Sequence, residues 1–170
     1  KDKCFKEIIN QGRCGMYIIE VSKDIFIRCY CVYGVTCGDT DDEAAARTCD
    51  IMYNIQNDID LQIEGPIIIA GDYNASLTRL PSLQNLLLEK GWRDIGAIAS
   101  IYGGTDSQPT CQATPLCKLT RKDYILANDM AFQQIENFEV ISPQDSGLDV
   151  HHILRLTFKG KQNIEPYEIV

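Results

Sequence analysis

No stretch of this chain approaches the roughly eighteen consecutive apolar residues that cross a bilayer. No charged-then-apolar leader opens it either, so the expectation is an intracellular protein without a membrane span. The opening Lys1-Asp-Lys-Cys-Phe-Lys6 lacks an initiator Met, which suggests a processed or truncated start. Positive charge is scarce: 16 Lys and Arg stand against 24 Asp and Glu, a net charge of −8. Broad non-specific affinity for nucleic acid, which rests on cations neutralising phosphates, is therefore disfavoured. Only Lys118, Arg121 and Lys122 offer a local basic patch. Histidine is limited to two residues, and the eight cysteines include no Cys-x-x-Cys pair, which argues against zinc. Internal repeats, low-complexity blocks and linker-like composition are all missing, so 1–170 reads as a single domain with a polar tail over 159–170.

What is present is ordinary for a globular protein: 45% hydrophobic and 24% charged residues over 170, enough chain to bury a core. The scattered cysteines read as reduced, mostly buried thiols, with one or two disulfides left open. Cys29 and Cys31, two apart, share one face of a strand.

Periodicity lays out the elements. Met16–Val21 and Ile25–Tyr33 read as a hairpin turning at Ser22-Lys23-Asp24. Ala44, Thr48, Ile51 or Met52, Ile55 and Ile59 recur at helical spacing, behind Thr40 or Asp41 as cap. Pro66–Ala70 is a buried strand, and Pro81 opens a second helix that Gly91 ends. Trp92–Ile98 reads as extended, Gly103–Cys117 as a long loop, and Arg121–Leu126, Phe138–Ile141 and His151–Phe158 as strands. Helices set among strands imply an α/β or α+β structure, with a mixed sheet flanked by helices.

Four polar signals stand at strand ends. The apolar run Ile67-Ile-Ile-Ala70 stops at Gly71-Asp72-Tyr73-Asn74, presenting a carboxylate and a carboxamide at the rim of a sheet; an Asx-type turn is the alternative. Tyr33 stands where a strand enters a Gly loop, either to offer its hydroxyl or simply to pack. Asp123 enters an apolar strand, where an acid must be paired, ligated or at the rim. Asp149 and His151, one residue apart, fall on one side of a strand, and an Asp beside an imidazole fixes its tautomer. His152 points the other way.

The order of these signals resembles the second half of the endonuclease/exonuclease/phosphatase superfamily, the fold of DNase I and the abasic-site endonucleases. The nearest resemblance is to endonuclease-like domains of protist retroelements. It is carried by Tyr33-Gly34, Ala44-Ala-Ala-Arg-Thr48, Gly71-Asp-x-Asn74, Gln108-Pro-Thr-Cys111, Thr120-Arg-x-Asp-Tyr124 and Asp149-Val-His151, from about Gly12 to Phe158. The resemblance implies DNase I-like layers, incomplete on the N-terminal side, and phosphodiester hydrolysis with Mg²⁺. Asp72 would orient or deprotonate the attacking water. Asn74 would hold the water or the phosphate, and Tyr33 would touch the phosphate. Asp149 and His151 would form an orienting pair, with Asp149 also a candidate metal ligand, while Asp123 and Arg121 would lie at the substrate.

Two departures shape the expectation. Val150 separates Asp149 from His151, which the superfamily usually writes as neighbours, and the family's metal-binding Glu has no counterpart upstream of Gly12. Two functions follow: a metal-dependent phosphodiesterase whose activity in this chain alone is in question, or a non-catalytic subunit of a larger assembly. In either case a protein partner is expected to cover the incomplete sheet. Nucleic acid or another phosphodiester is expected as substrate only if the site is catalytic.

Overall fold

The computed structural model describes residues 6, 9, 11–112, 114–147 and 150–160. Strands β1 (Cys14–Ser22) and β2 (Ile25–Tyr33) form the expected antiparallel hairpin, with Cys14 opposite Val32 and Asp24 in a left-handed turn. Helix α1 (Asp42–Asp60) then crosses over to β3 (Ile67–Asp72), which lies parallel to β2. The α1 cap is Asp41, whose carboxylate accepts from Glu43 N (2.8 Å) and Ala44 N (3.3 Å). Asp42 and Glu43 add negative charge in the first turn, where the helix dipole favours it.

A 3₁₀ turn (Leu77–Arg79), helix α2 (Pro81–Leu88) and the two-residue strand β4 (Arg93–Asp94) lead into a second 3₁₀ segment, Ile95–Tyr102. Strand β5 (Asp123–Ala127) returns antiparallel to β3, so the main sheet has the mixed order β1-β2-β3-β5-β4. After the short α3 (Asp129–Phe132), β6 (Ile135–Ile141), the short α4 (Pro143–Ser146) and β7 (Ile153–Phe158), the pair β6-β7 forms a separate antiparallel sheet.

Side-chain alternation along β3 divides the core. Ile67 and Ile69 face α1 and α2, packing with Tyr30, Met52, Ile55, Leu83 and Leu86. Ile68 faces the small sheet, packing with Ile27, Ile125 and Phe138 beneath Leu154, Leu156 and Phe158 of β7. None of the three isoleucines is more than 3% exposed. Each contributes about 1.5–3 kcal/mol of transfer free energy, so the central strand is pinned from both sides. Among the described residues, five strands face only two across this second core. On β1, Tyr17 and Ile19, which share a face with Cys29 and Ile27, remain 60% and 43% exposed.

Three elements differ from the sequence reading. The extended piece expected over 92–98 shrinks to Arg93–Asp94, because the Asp94 carboxylate accepts from Ala97 N (3.4 Å) and starts a helical turn that buries Ile95 and Ala99. Strand β5 starts at Asp123, leaving Arg121 and Lys122 in the preceding loop. His151 precedes β7 and is held by an isolated bridge to Cys111. Of the described cysteines, all seven are unpaired; Cys14, Cys49 and Cys111 are buried, but Cys31, Cys37 and Cys117 are exposed, fewer buried thiols than expected.

Candidate active site

Strand pairing builds the site. Tyr33 is in register with Asp72 across β2 and β3, and Asp72 with Asp123 across β3 and β5. Residues in register share a face, so this row is the polar end of the face that buries Ile27, Ile68 and Ile125 further along.

The backbone at the row is unusually close. A Cβ on Gly34 would lie 2.2 Å from Tyr73 O, and one on Gly71, at φ +155°, would lie 1.9 Å from Val32 O. Both positions therefore require glycine. Gly34 N donates to Asp72 O (2.7 Å), locking the end of β2 to the end of β3. Asn74 takes a left-handed conformation (φ 54°), one that Asn tolerates better than most residues. Its N–H donates to Asp72 Oδ1 (2.8 Å), the anticipated Asx turn, and its Nδ2 donates to Gly34 O (3.1 Å).

His151 arrives through the long loop. Cys111 bridges both Thr120 and His151, while Gln112 N donates to Val150 O (3.0 Å) and His152 N to Thr110 O (2.8 Å). These contacts bring His151 Nδ1 to 3.0 Å from Asp123 Oδ2 and Nε2 to 3.8 Å from Asp72 Oδ2. Ligand atoms of Asp72, Asp123 and His151 all lie within 4.8 Å of one another, a set able to hold a cation. Asp123 Oδ2 also accepts from Thr110 Oγ1 (2.6 Å), and that hydroxyl oxygen in turn accepts from Asp123 N (3.1 Å) and Lys122 N (3.2 Å). Thr110 thus fixes the carboxylate that fixes the imidazole.

Burial raises the Asp72 pKa above its ordinary value, and the neighbouring Asp123 charge adds to the shift; the Asn74 N–H, His151 and Lys122 work the other way. Burial likewise raises the Cys111 thiol, assisted by Asp123 and Asp72.

The remaining expected residues are placed differently. Tyr33 is half-exposed, with the Arg13 guanidinium 5.2 Å from its ring centre. Arg121 is turned to Asp94: Nη1 donates to Oδ2 (2.7 Å), Nη2 pairs with Oδ1, and the guanidinium lies 4.6 Å from the Tyr124 ring centre. Its side chain is 12% exposed and that of Asp94 3%, so the charge expected at the substrate is committed to an internal ion pair. Asp149 lies outside the described residues. Thr110 and Cys111 had no role in the sequence reading, although both fall in the run Gln108-Pro-Thr-Cys111.

Among solved structures, the chain is similar to the 3' phosphatase NExo from Neisseria, in complex with a product DNA hairpin: TM-score 0.63, 14% identity, covering 86% of this chain and 65% of that one. It is also similar to an endonuclease/exonuclease/phosphatase family protein from Leptotrichia buccalis (0.58, 17%, 86% and 53%) and to the Xenopus laevis APE2 catalytic domain (0.54, 18%, 88% and 56%). The fold is DNase I-like, that of the endonuclease/exonuclease/phosphatase proteins. The chain spans less than two thirds of the length of these neighbours. No protein-family model and no curated protein matches the sequence. The DNase I-like fold accounts for the mixed sheet, with its row Tyr33–Asp72–Asp123 at the strand ends.

Proposed function

We propose that this chain carries the phosphodiester-hydrolysing site of a DNase I-like hydrolase. The observation behind the reading is the convergence of Asp72, Asp123 and His151 on one rim of the sheet. Two carboxylates and an imidazole suit a divalent cation, with Mg²⁺ the ion the fold resemblance implies. Asp149 is proposed as a ligand of that ion, which would lie beside the rim and leave Asp72 Oδ2 and His151 Nε2 free for the reaction. Such an ion supplies charge neutralisation at phosphoryl oxygens and a more acidic water.

The chain's own groups divide the remaining work. Asp72 Oδ2 takes a proton from the attacking water as its oxygen bonds to phosphorus. The bond to the leaving oxygen breaks, and that oxygen takes a proton from solvent. His151, protonated, donates from Nε2 to a phosphoryl oxygen, while Asp123 holds Nδ1 and supports the positive charge. Asn74 positions the water or phosphate, and Tyr33 closes the row.

The test is hydrolysis of bis(p-nitrophenyl) phosphate and of duplex DNA in Mg²⁺ or Mn²⁺. Loss of the acid–base group in Asp72→Asn or His151→Asn should reduce turnover about 10²- to 10⁴-fold. Turnover equal in wild type and both variants would defeat the reading.

A second reading, a non-catalytic subunit, is favoured by one observation: among the described residues, Tyr17 and Ile19 lie exposed on a sheet face opposed by only two strands. A protein partner that supplies strands would cover them. Its test is the stoichiometry of the natively isolated complex. Among the described residues no helix is long and apolar enough to cross a membrane.

A further inference from the structure

The backbone bridge that seats His151 has two sides. Cys111 and His151 pair across it, with Sγ and Nε2 3.8 Å apart, on the side of the catalytic row. Their neighbours alternate to the reverse side, as residues of paired extended segments do. Gln112, whose N–H donates to Val150 O, and His152, whose N–H donates to Thr110 O, both lie there. Together with Val150 they line a cavity of about 490 Å³, bounded further by Leu119 and by Pro143 and Gln144 at the start of α4. That volume is within the roughly 300–1,000 Å³ of small-molecule sites.

The walls set the chemistry of an occupant. Among the described residues they carry no Asp, Glu, Lys or Arg, so a phosphate or a metal ion finds no counter-charge. They carry amides and an imidazole beside apolar surface. Gln112 Nε2 is committed, donating to Cys117 O (2.9 Å) and more weakly to Pro115 O (3.5 Å), which leaves Oε1 as an acceptor. Gln144 is exposed and brings an amide with donors and an acceptor. His152 Nδ1 is shielded from solvent and has no hydrogen-bond partner. Buried polar atoms are seldom left so, and a turn of the ring would let a polar guest satisfy this one. Leu119, Val150 and Pro143 supply apolar faces.

We propose that this cavity is a nucleobase subsite working with the catalytic rim. A nucleobase is neutral and planar, with donors and acceptors around its edge. Proteins hold an unstacked base by pairing that edge with side chains while apolar groups cover its faces. A purely aliphatic guest would leave the amides and the imidazole unpaired. The purpose of the subsite rests on the hydrolytic reading, because an occupant touching Gln112, Val150 and His152 bears on the two hydrogen bonds that seat His151. The same chemistry is offered by a free nucleoside and by an unstacked base of the strand being cut.

The first experiment is saturation-transfer NMR of the full chain with adenosine, guanosine, cytidine and thymidine, which carry no phosphate. At least one should bind, while ribose should not, and inorganic phosphate should not compete. Leu119→Trp, which fills the cavity, should abolish binding. Gln144→Ala and His152→Phe, each removing hydrogen-bonding atoms, should weaken it about 2- to 10-fold. Failure of all four nucleosides to bind overturns the proposal. So does binding that survives in a folded Leu119→Trp protein.

Turnover then separates the two sources. A base of the substrate strand predicts that an oligonucleotide lacking one base near the cut has a raised KM. Leu119→Trp should erase that difference and leave bis(p-nitrophenyl) phosphate hydrolysis at the wild-type rate. A free nucleoside predicts instead that adding it changes bis(p-nitrophenyl) phosphate turnover in wild type and not in Leu119→Trp. In an active protein, binding that moves neither readout overturns the link to the rim. A chain that binds nucleosides in the cavity but hydrolyses nothing keeps the pocket and loses the hydrolytic reading; one that hydrolyses but binds no nucleoside does the reverse.

Discussion

Asp72 and Asp123 face each other in register across the antiparallel β3–β5 pair, two carboxylates on one face of the sheet with His151 between them and solvent. Like charges at such spacing oppose folding unless a cation or a proton separates them. A site of this kind costs stability that its function requires.

Asp72→Asn should therefore raise stability while lowering turnover. The folded Asp72 pKa lies above the ordinary 3.8. Its ionisation accordingly penalises the native state above the folded pKa, and the penalty vanishes once the carboxyl is protonated in both states, below 3.8. Thermal melts should show the variant's advantage at pH 7 shrinking as pH falls. An advantage that stays constant down to acid would contradict the burial and repulsion argument. The same pKa predicts that hydrolysis increases with pH through the Asp72 ionisation.

Thr110→Val keeps the side-chain shape but removes the hydroxyl that serves Asp123 Oδ2, Asp123 N and Lys122 N. Thr110 is 1% exposed, so water has little access to replace it. The expected cost is about 1–3 kcal/mol in urea unfolding, with Thr110→Ser close to wild type.

Arg121→Met tests whether this guanidinium serves the substrate or the fold. It would strand Asp94, whose side chain is 3% exposed, and a broken buried pair costs about 3–5 kcal/mol. The double change Asp94→Leu with Arg121→Met should recover most of that loss. Little destabilisation by the single change would reopen a role for Arg121 at the substrate.

Gly34→Ala places a methyl 2.2 Å from the Tyr73 carbonyl oxygen, and the backbone atoms around it cannot yield as a flexible side chain would. Overpacking of this kind costs about 1–3 kcal/mol or more. It should also displace Asp72, whose carbonyl is held by Gly34 N. A melting temperature within one degree or so of wild type would count against the close approach, because about 1 kcal/mol shifts a chain of this size by roughly 2–4 °C.

The sequence was most legible where local and global preferences agree. The β-branched run Ile67–Ile69 ending in Gly71 and Asp72 signals a central strand, and the spacing from Ala44 to Ile59 behind Asp41 signals α1. Asp72, Asp123 and His151 stood out as polar residues at the ends of apolar strands; β3–β5 pairing and the Cys111 bridge bring all three together. What stayed hidden depends on contacts between distant segments. Nothing near Thr110 or Cys111 announces that they touch Asp123 and His151, because the bridges that seat them join separate loops. Arg121 lies two residues before Asp123, yet it pairs with Asp94, 27 positions upstream. The extended reading of 92–98 failed because one capping carboxylate redirected an apolar segment that could have continued as strand.

The row Tyr33–Asp72–Asp123 also constrains how such a site can change over time. Strand side chains alternate between faces, so a one-residue slip in β3 or β5 would carry Asp72 or Asp123 to the opposite side of the sheet. There is no intermediate position in which a carboxylate is half displaced. A lineage can exchange these side chains one at a time, but it cannot move them gradually, so the geometry is inherited whole or discarded.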